Sequence, residues 1–190
     1  MNRIEKRMEE LQQKNEKAFV TYMTAGLPDM EGTKALIKAQ DEAGIDIIEL
    51  GIPFSDPTAD GPVIQDASYR SICKGTNVKG VFTAVEEVRK DCEVPIVFMM
   101  YYNTILYYGV EAFAKKCAET GVDGLIIPDL PKEEQFELAE ALEHTENAPN
   151  PHSACRTGIR RQNSYDLRKC KRICILRIFH GRNRTGGTFP

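Results

Sequence analysis

Ile45-Asp46-Ile47-Ile48-Glu49-Leu50-Gly51-Ile52-Pro53-Phe54-Ser55-Asp56-Pro57-Thr58-Ala59-Asp60-Gly61-Pro62 is the stretch on which the reading of this chain turns. Its first part is a short, almost wholly apolar run, the pattern of a strand covered on both faces. A carboxylate, Glu49, sits at the carboxyl end of that run. A loop rich in Gly and Pro follows, and it carries a second carboxylate, Asp60. In open α/β sheets and in β/α barrels, ligands bind at this end of the strands. The spacing therefore predicts two acids brought to one pocket from two kinds of support.

The same alternation of strand and helix runs outward on both sides. Ala18 to Thr24 reads as a first strand, closed by Gly26 and Pro28. Glu31 to Ala43 reads as a helix, with Leu36, Ala39 and Ala43 expected on its apolar face and Gly44 after it. Pro62 to Cys73 has proline at a helix start, where a missing N–H costs nothing. Val78, Val81, Phe82, Val85 and Val88 recur at helical spacing. Pro95 to Met100 is a third apolar strand. Val110, Phe113, Ala114, Cys117 and Ala118 form a helical stripe ended by Gly121. Leu125 to Ile127 is a fourth strand, and Lys132 to Glu143 a further helix with Phe136, Ala139 and Leu142 expected inward. Short apolar strands separated by helices predict an α/β fold with a parallel sheet and right-handed crossovers. Pattern alone does not separate an open sheet from a barrel.

Beyond about residue 147 the pattern stops. The whole chain of 190 residues has a formal net charge of −3. That figure hides two unlike segments. Residues 148–190 carry ten Lys and Arg against the single acid Asp166, while residues 1–147 carry 15 basic and 27 acidic side chains. The second segment also prefers Arg over Lys, the reverse of the first. The expected domains are accordingly 1–147, a β/α unit, and 148–190, an atypical basic tail. The joint change of charge, Arg/Lys choice and periodicity at one point suggests a shifted reading frame there. Translating the neighbouring frames of the coding DNA tests this; frames without apolar β/α pattern would sink it.

Several function classes are disfavoured. No apolar run approaches the length of a membrane span, and the charged segment Met1 to Lys17 lacks the core of a signal peptide. A cytoplasmic location is the expectation. The six cysteines form no CxxC pair; the i, i+4 pair Cys170 and Cys174 has no histidine close by, so no metal is expected. The basic tail invites a nucleic-acid role, yet its aromatics Tyr165, Phe179 and Phe189 are sparse, and no nucleic-acid partner is expected.

The fourteen residues Glu49 to Pro62 closely resemble the catalytic segment of tryptophan synthase α subunits. Phe19 to Asp29 resembles that family's first strand and loop, Pro95 to Asn103 its third strand, and Asp123 to Pro131 its fourth. The resemblance implies a (β/α)8 TIM barrel. A full barrel takes about 250 residues, and about the first four β/α units are present before the tail. It implies retro-aldol cleavage of indole-3-glycerol phosphate to indole and glyceraldehyde 3-phosphate, within tryptophan biosynthesis. Glu49 would be the general acid/base, and Asp60 would meet the indole N–H. Tyr22, Ile64, Met100 and Tyr102 match the indole pocket, and Leu125 and Ile127 are expected to face it too. Pro53, Phe54, Asp56 and Asn103 match the surface that docks the β subunit in an α2β2 tetramer. No cofactor is implied for this chain, since pyridoxal phosphate belongs to that partner. Judged alone, Glu49 suits a structural ion pair better than catalysis, Asp60-Gly61 is an ordinary turn pair, and the pocket residues suit plain core just as well. An inactive remnant that at most touches the β subunit is the alternative function.

Overall fold

The computed structural model describes residues 3–149. The expected tail, with the frame-shift question and any basic interface, lies outside the described residues. Four parallel strands form one sheet in the order β1-β2-β3-β4: β1 (Val20–Thr24), β2 (Ile47–Gly51), β3 (Ile96–Met99) and β4 (Gly124–Ile126). Helices alternate with them: α1 (Arg3–Lys14) before the sheet, α2 (Met30–Glu42), α3 (Pro62–Cys73), α4 (Val78–Val88), α5 (Tyr102–Tyr108), α6 (Val110–Thr120) and α7 (Phe136–Glu143). Sequential strands lie side by side, as expected for β/α units coiling in one direction.

The register defines two faces. Tyr22, Glu49 and Val97 are paired across β1, β2 and β3, and Gly51, Met99 and Ile126 across β2, β3 and β4. Paired residues share a face, and successive residues alternate between faces. The helix-side face carries Ile48, Leu50, Phe98, Met100, Leu125 and Ile127, packed with Ile37, Phe82, Val85, Phe113, Cys117 and Leu138 into the larger core. Phe82 is its hub, with the rings of Phe98, Phe113 and Tyr108 between 5.5 and 5.6 Å away. The opposite, inner face forms a smaller cluster of Ile47, Val97, Met99 and Ile126, with Ile4, Met8, Val20 and Tyr22.

Helix caps explain several boundaries. Asp29 accepts from Gly32 N–H at 2.7 Å and starts α2. Asn77 accepts from Gly80 N–H at 3.0 Å and starts α4. Each satisfies a donor that a helix start leaves open. Pro62 stands at the start of α3, where the sequence placed it.

Four details differ from the sequence reading. The buried residues of α2 are Thr33 and Ile37, while Leu36 is 44% exposed; the helix is rotated so that Ile37 meets the strands. Lys132 to Glu143 is not one helix but a 3-10 turn, Lys132–Glu134, followed by α7. Leu138 and Leu142 face inward there, and Phe136 is 76% exposed. Two helices were not anticipated. α5 is short and polar-aromatic. α1 carries a narrow stripe, Ile4, Met8 and Leu11, among charges. It lies under the inner face, and its arginines reach carboxylates just ahead of two strands: Arg7 to Asp46 at 2.6 Å and Arg3 to Asp123 at 3.2 Å.

Candidate active site

Glu49 is the third of the five residues of β2, which ends at Gly51, one residue beyond the Ile45 to Leu50 run that the sequence suggests. Its side chain lies on the inner face by register, between Tyr22 and Val97, and the residue is only 6% exposed.

Above it, Gly51 is the next inner-face position. A Cβ built there would stand 2.3 Å from Tyr22 Oη. Only glycine lets the Tyr22 phenol lie across β2, where its oxygen is 3.3 Å from Thr24 Oγ1. Tyr22 is thus placed on the Glu49 side by the alternation of β1 and held there by the bare backbone of its neighbour.

Asp60 reaches the same mouth by a different route. The loop from Ile52 to Gly61 folds toward the end of β3. Tyr101 extends the inner-face series Val97, Met99, Tyr101 past the strand end, with its backbone still extended. Its phenol donates to Asp60 Oδ2 at 3.0 Å and accepts from Ala59 N–H at 2.9 Å. The Phe54 ring stacks on Tyr101, centroids 5.1 Å apart and planes 26° apart. Gln65 Nε2 donates to the Asp60 carbonyl at 2.9 Å. The loop is therefore pinned at its start by a ring and at its tip by a phenol. Burial pushes the ionisation of Tyr101 upward, helped by the negative charge of Asp60, so the phenol keeps its proton.

The expected pocket residues divide. Tyr22 stands on the Glu49 face, and Ile64 is half-buried in the first turn of α3, just after Asp60. Met100, Leu125 and Ile127 do not share that face; they pack into the helix-side core. A shift of one residue along a strand moves a side chain to the other face, and Met99 and Ile126 hold the inner positions instead. Tyr102 is the first residue of α5, its hydroxyl 3.4 Å from Glu137; the aromatic ring at the mouth is Tyr101. Of the expected docking residues, Asp56 and Asn103 are exposed, and Pro53 and Phe54 are half-buried. Asp129, after β4, accepts from Tyr102 N–H at 2.9 Å and so starts α5, which carries Asn103.

Among the described residues, no group of three His, Cys, Asp or Glu side chains could hold a metal ion, and no helix is long and apolar enough to cross a membrane. A groove of about 830 Å³ between α6 and α7, lined by Glu111, Glu140 and His144, lies behind the sheet and away from Glu49.

Comparison with known proteins agrees with this geometry. The sequence model of the family described as "Tryptophan synthase alpha chain" matches residues 8–157. The tryptophan synthase alpha chain of Lachnospira eligens is 57% identical over 150 residues, which are 78% of this chain and 57% of that protein. That of Alkaliphilus metalliredigens is 51% identical over 138 residues, covering 73% and 52%. The crystal structure of tryptophan synthase subunit alpha from Legionella pneumophila superposes with a TM-score of 0.73 at 41% identity, covering 75% of this chain and 55% of that one. The chain spans about half the length of the curated relatives it matches. The four parallel β/α units are therefore those of a TIM-barrel fold, and the chain belongs to the tryptophan synthase alpha chain family.

Proposed function

We propose that this chain carries the acid/base centre of an indole-3-glycerol-phosphate lyase. The observation that supports the reading is the placement of Glu49 on the inner face of β2 and of Asp60 on the following loop, held by Tyr101 just past the end of β3. Glu49 protonates C3 of the indole ring. Asp60 accepts the ring N–H as positive charge develops on the nitrogen. The glycerol hydroxyl beside C3 then loses its proton to Glu49, its oxygen becomes the aldehyde of glyceraldehyde 3-phosphate, and the electrons of the broken C–C bond return to the indole. Protons and electrons balance with no group other than the two carboxyls. Tyr22, Met99 and Ile126 share the inner face with Glu49 and would supply apolar walls for the indole ring.

The indole so released suits a β subunit that docks on Pro53, Phe54, Asp56 and Asn103, in an α2β2 assembly within the cytoplasm. Pyridoxal phosphate would be that partner's cofactor. The exposure of Asp56 and Asn103 supports this surface. Glu49→Gln keeps the shape and removes the acid, so indole formation from indole-3-glycerol phosphate should fall at least about a hundredfold. Turnover near the original rate would overturn the assignment of Glu49. No turnover by the unsubstituted 190-residue chain, with retained β-subunit binding, would favour the interaction-only reading, which the chain's half-length match to its relatives motivates.

A further inference from the structure

We propose that Tyr101 is a positioning residue that holds the Asp60 carboxylate as an acceptor for a ring N–H, and thereby sets the preference of the site for N–H over N-substituted heteroaromatics. This rests on the lyase reading for the identity of the ring.

The hydrogen-bond directions carry the argument. A backbone N–H can only donate, so at 2.9 Å from Ala59 N the Tyr101 oxygen is the acceptor. The phenol's one proton is then available for Asp60 Oδ2, 3.0 Å away. Asp60 must receive that bond, and a carboxylate is an acceptor only. Ala59 and Asp60 are adjacent, so a single phenol grips both sides of the loop tip. The stack of Phe54 on the Tyr101 ring fixes the phenol's approach. Tyr101 is 3% exposed, and burial keeps its proton in place at neutral pH. The device is separate from the acid: Glu49 sits on β2, and the Tyr101 grip acts only on the loop.

The test uses the full 190-residue chain and two probes, 3-methylindole and 1,3-dimethylindole, titrated by NMR. The chain is expected to bind the N–H probe about tenfold more tightly, the worth of one hydrogen bond. Tyr101→Phe keeps the ring and the stack but loses the hydroxyl, and the ratio should fall toward one. Asp60→Asn should lose the preference too, and adding Tyr101→Phe to it should change nothing further. Phe54→Leu, which loosens the stack and leaves every polar atom, should give a partial loss and serves where Tyr101→Phe does not fold. An undiminished ratio in Tyr101→Phe, or no preference in the unsubstituted chain, overturns the proposal. Intact discrimination without cleavage of indole-3-glycerol phosphate would leave it standing and refute the lyase reading alone.

Discussion

Arg89 and Asp123 form a buried ion pair, Nη2 to Oδ2 at 2.7 Å, with side chains only 8% and 4% exposed. Arg89 also donates to the carbonyls of Gly121, Cys92 and Val94, and Asp123 accepts from Ile96 N–H at 2.9 Å. The pair ties the end of α4 to the starts of β3 and β4. Burial raises the Asp123 carboxyl above the usual aspartate range, and Arg89, the Ile96 N–H and Arg3 pull it back down. Removing Arg89 takes away the largest of those restraints. Arg89→Met should cost about 3–5 kcal/mol at neutral pH, the penalty for a buried charge without its partner.

The sign with pH follows from the raised carboxyl. Folded Asp123 keeps its proton to higher pH than the unfolded chain does, so its contribution is fullest in acid and is lost as pH rises through the folded value. Arg89→Met lifts that value further, and the gap to the unsubstituted protein should widen from pH 4 to pH 7. Glu87 and Asp91 are shifted the other way, each lowered chiefly by a bond from Lys34 or Lys38, and their contributions fade as pH falls in both proteins alike. Urea unfolding at the two pH values measures the gap. A gap that is constant or larger at pH 4 would refute the account.

Gly51 and Tyr22 are a matched pair. Gly51→Ala places a methyl against the end of a side chain that can rotate away, not against backbone. The cost should therefore be moderate, about 1–3 kcal/mol. Tyr22→Ala in the same protein clears the space, so the two changes together should destabilise less than the sum of each alone. Denaturation midpoints of the three variants decide this. Strict additivity would mean that the Tyr22 ring does not occupy the space above Gly51.

Much of the fold was legible from residue pattern. Val81, Phe82, Val85 and Val88 marked the inward face of α4, and Val110, Phe113, Ala114 and Cys117 that of α6, because four-residue spacing leaves little choice of face. α2 misled because its apolar side chains surround it: Leu36 and Ile37 are adjacent, and only packing selects Ile37. α1 was missed although Ile4, Met8 and Leu11 stand at helical spacing, because the charges that surround them dominate the segment. The placement of Glu49 on a strand and of Asp60 on the loop after it was legible, since both stand in one continuous motif. The inner-face residues of β3 and β4 were not, because both strands are apolar on both faces. In such strands hydrophobicity cannot tell odd from even positions, and only pairing to Glu49 through Val97 does so. Tyr101 and Tyr102 are likewise adjacent and chemically alike, and the choice between them depends on the turn into α5.

Asp129 starts α5 from the loop after the neighbouring strand β4. Its carboxylate accepts the Tyr102 N–H at 2.9 and 3.1 Å from its two oxygens. Asp129→Ala leaves that donor open and should cost about 1 kcal/mol, as for other lost helix starts. α5 has only seven residues, so the loss falls on a large fraction of its bonds. Faster amide exchange should appear at Thr104 to Tyr108 and leave β3 unchanged. Equal acceleration in β3 would show that α5 and the sheet open together.

Met99 and Met100 offer the sharpest check on the face assignment, since they are the same residue type one step apart. Met99 is on the inner face with Val97 and Ile126, and Met100 belongs to the helix-side core that also holds Phe82 and Ile105. Met100→Ala removes volume from a closed core and should cost about 2–5 kcal/mol, with ligand affinity in the folded protein little changed. Met99→Ala lies beside the strand mouth on the Glu49 side. It should weaken binding of 3-methylindole about tenfold or more, by loss of apolar contact area, with a smaller effect on stability. The pair of substitutions separates the two roles because local sequence and side-chain volume are the same. If Met100→Ala were the variant that lost affinity while Met99→Ala lost only stability, the register of β3 would be wrong by one residue.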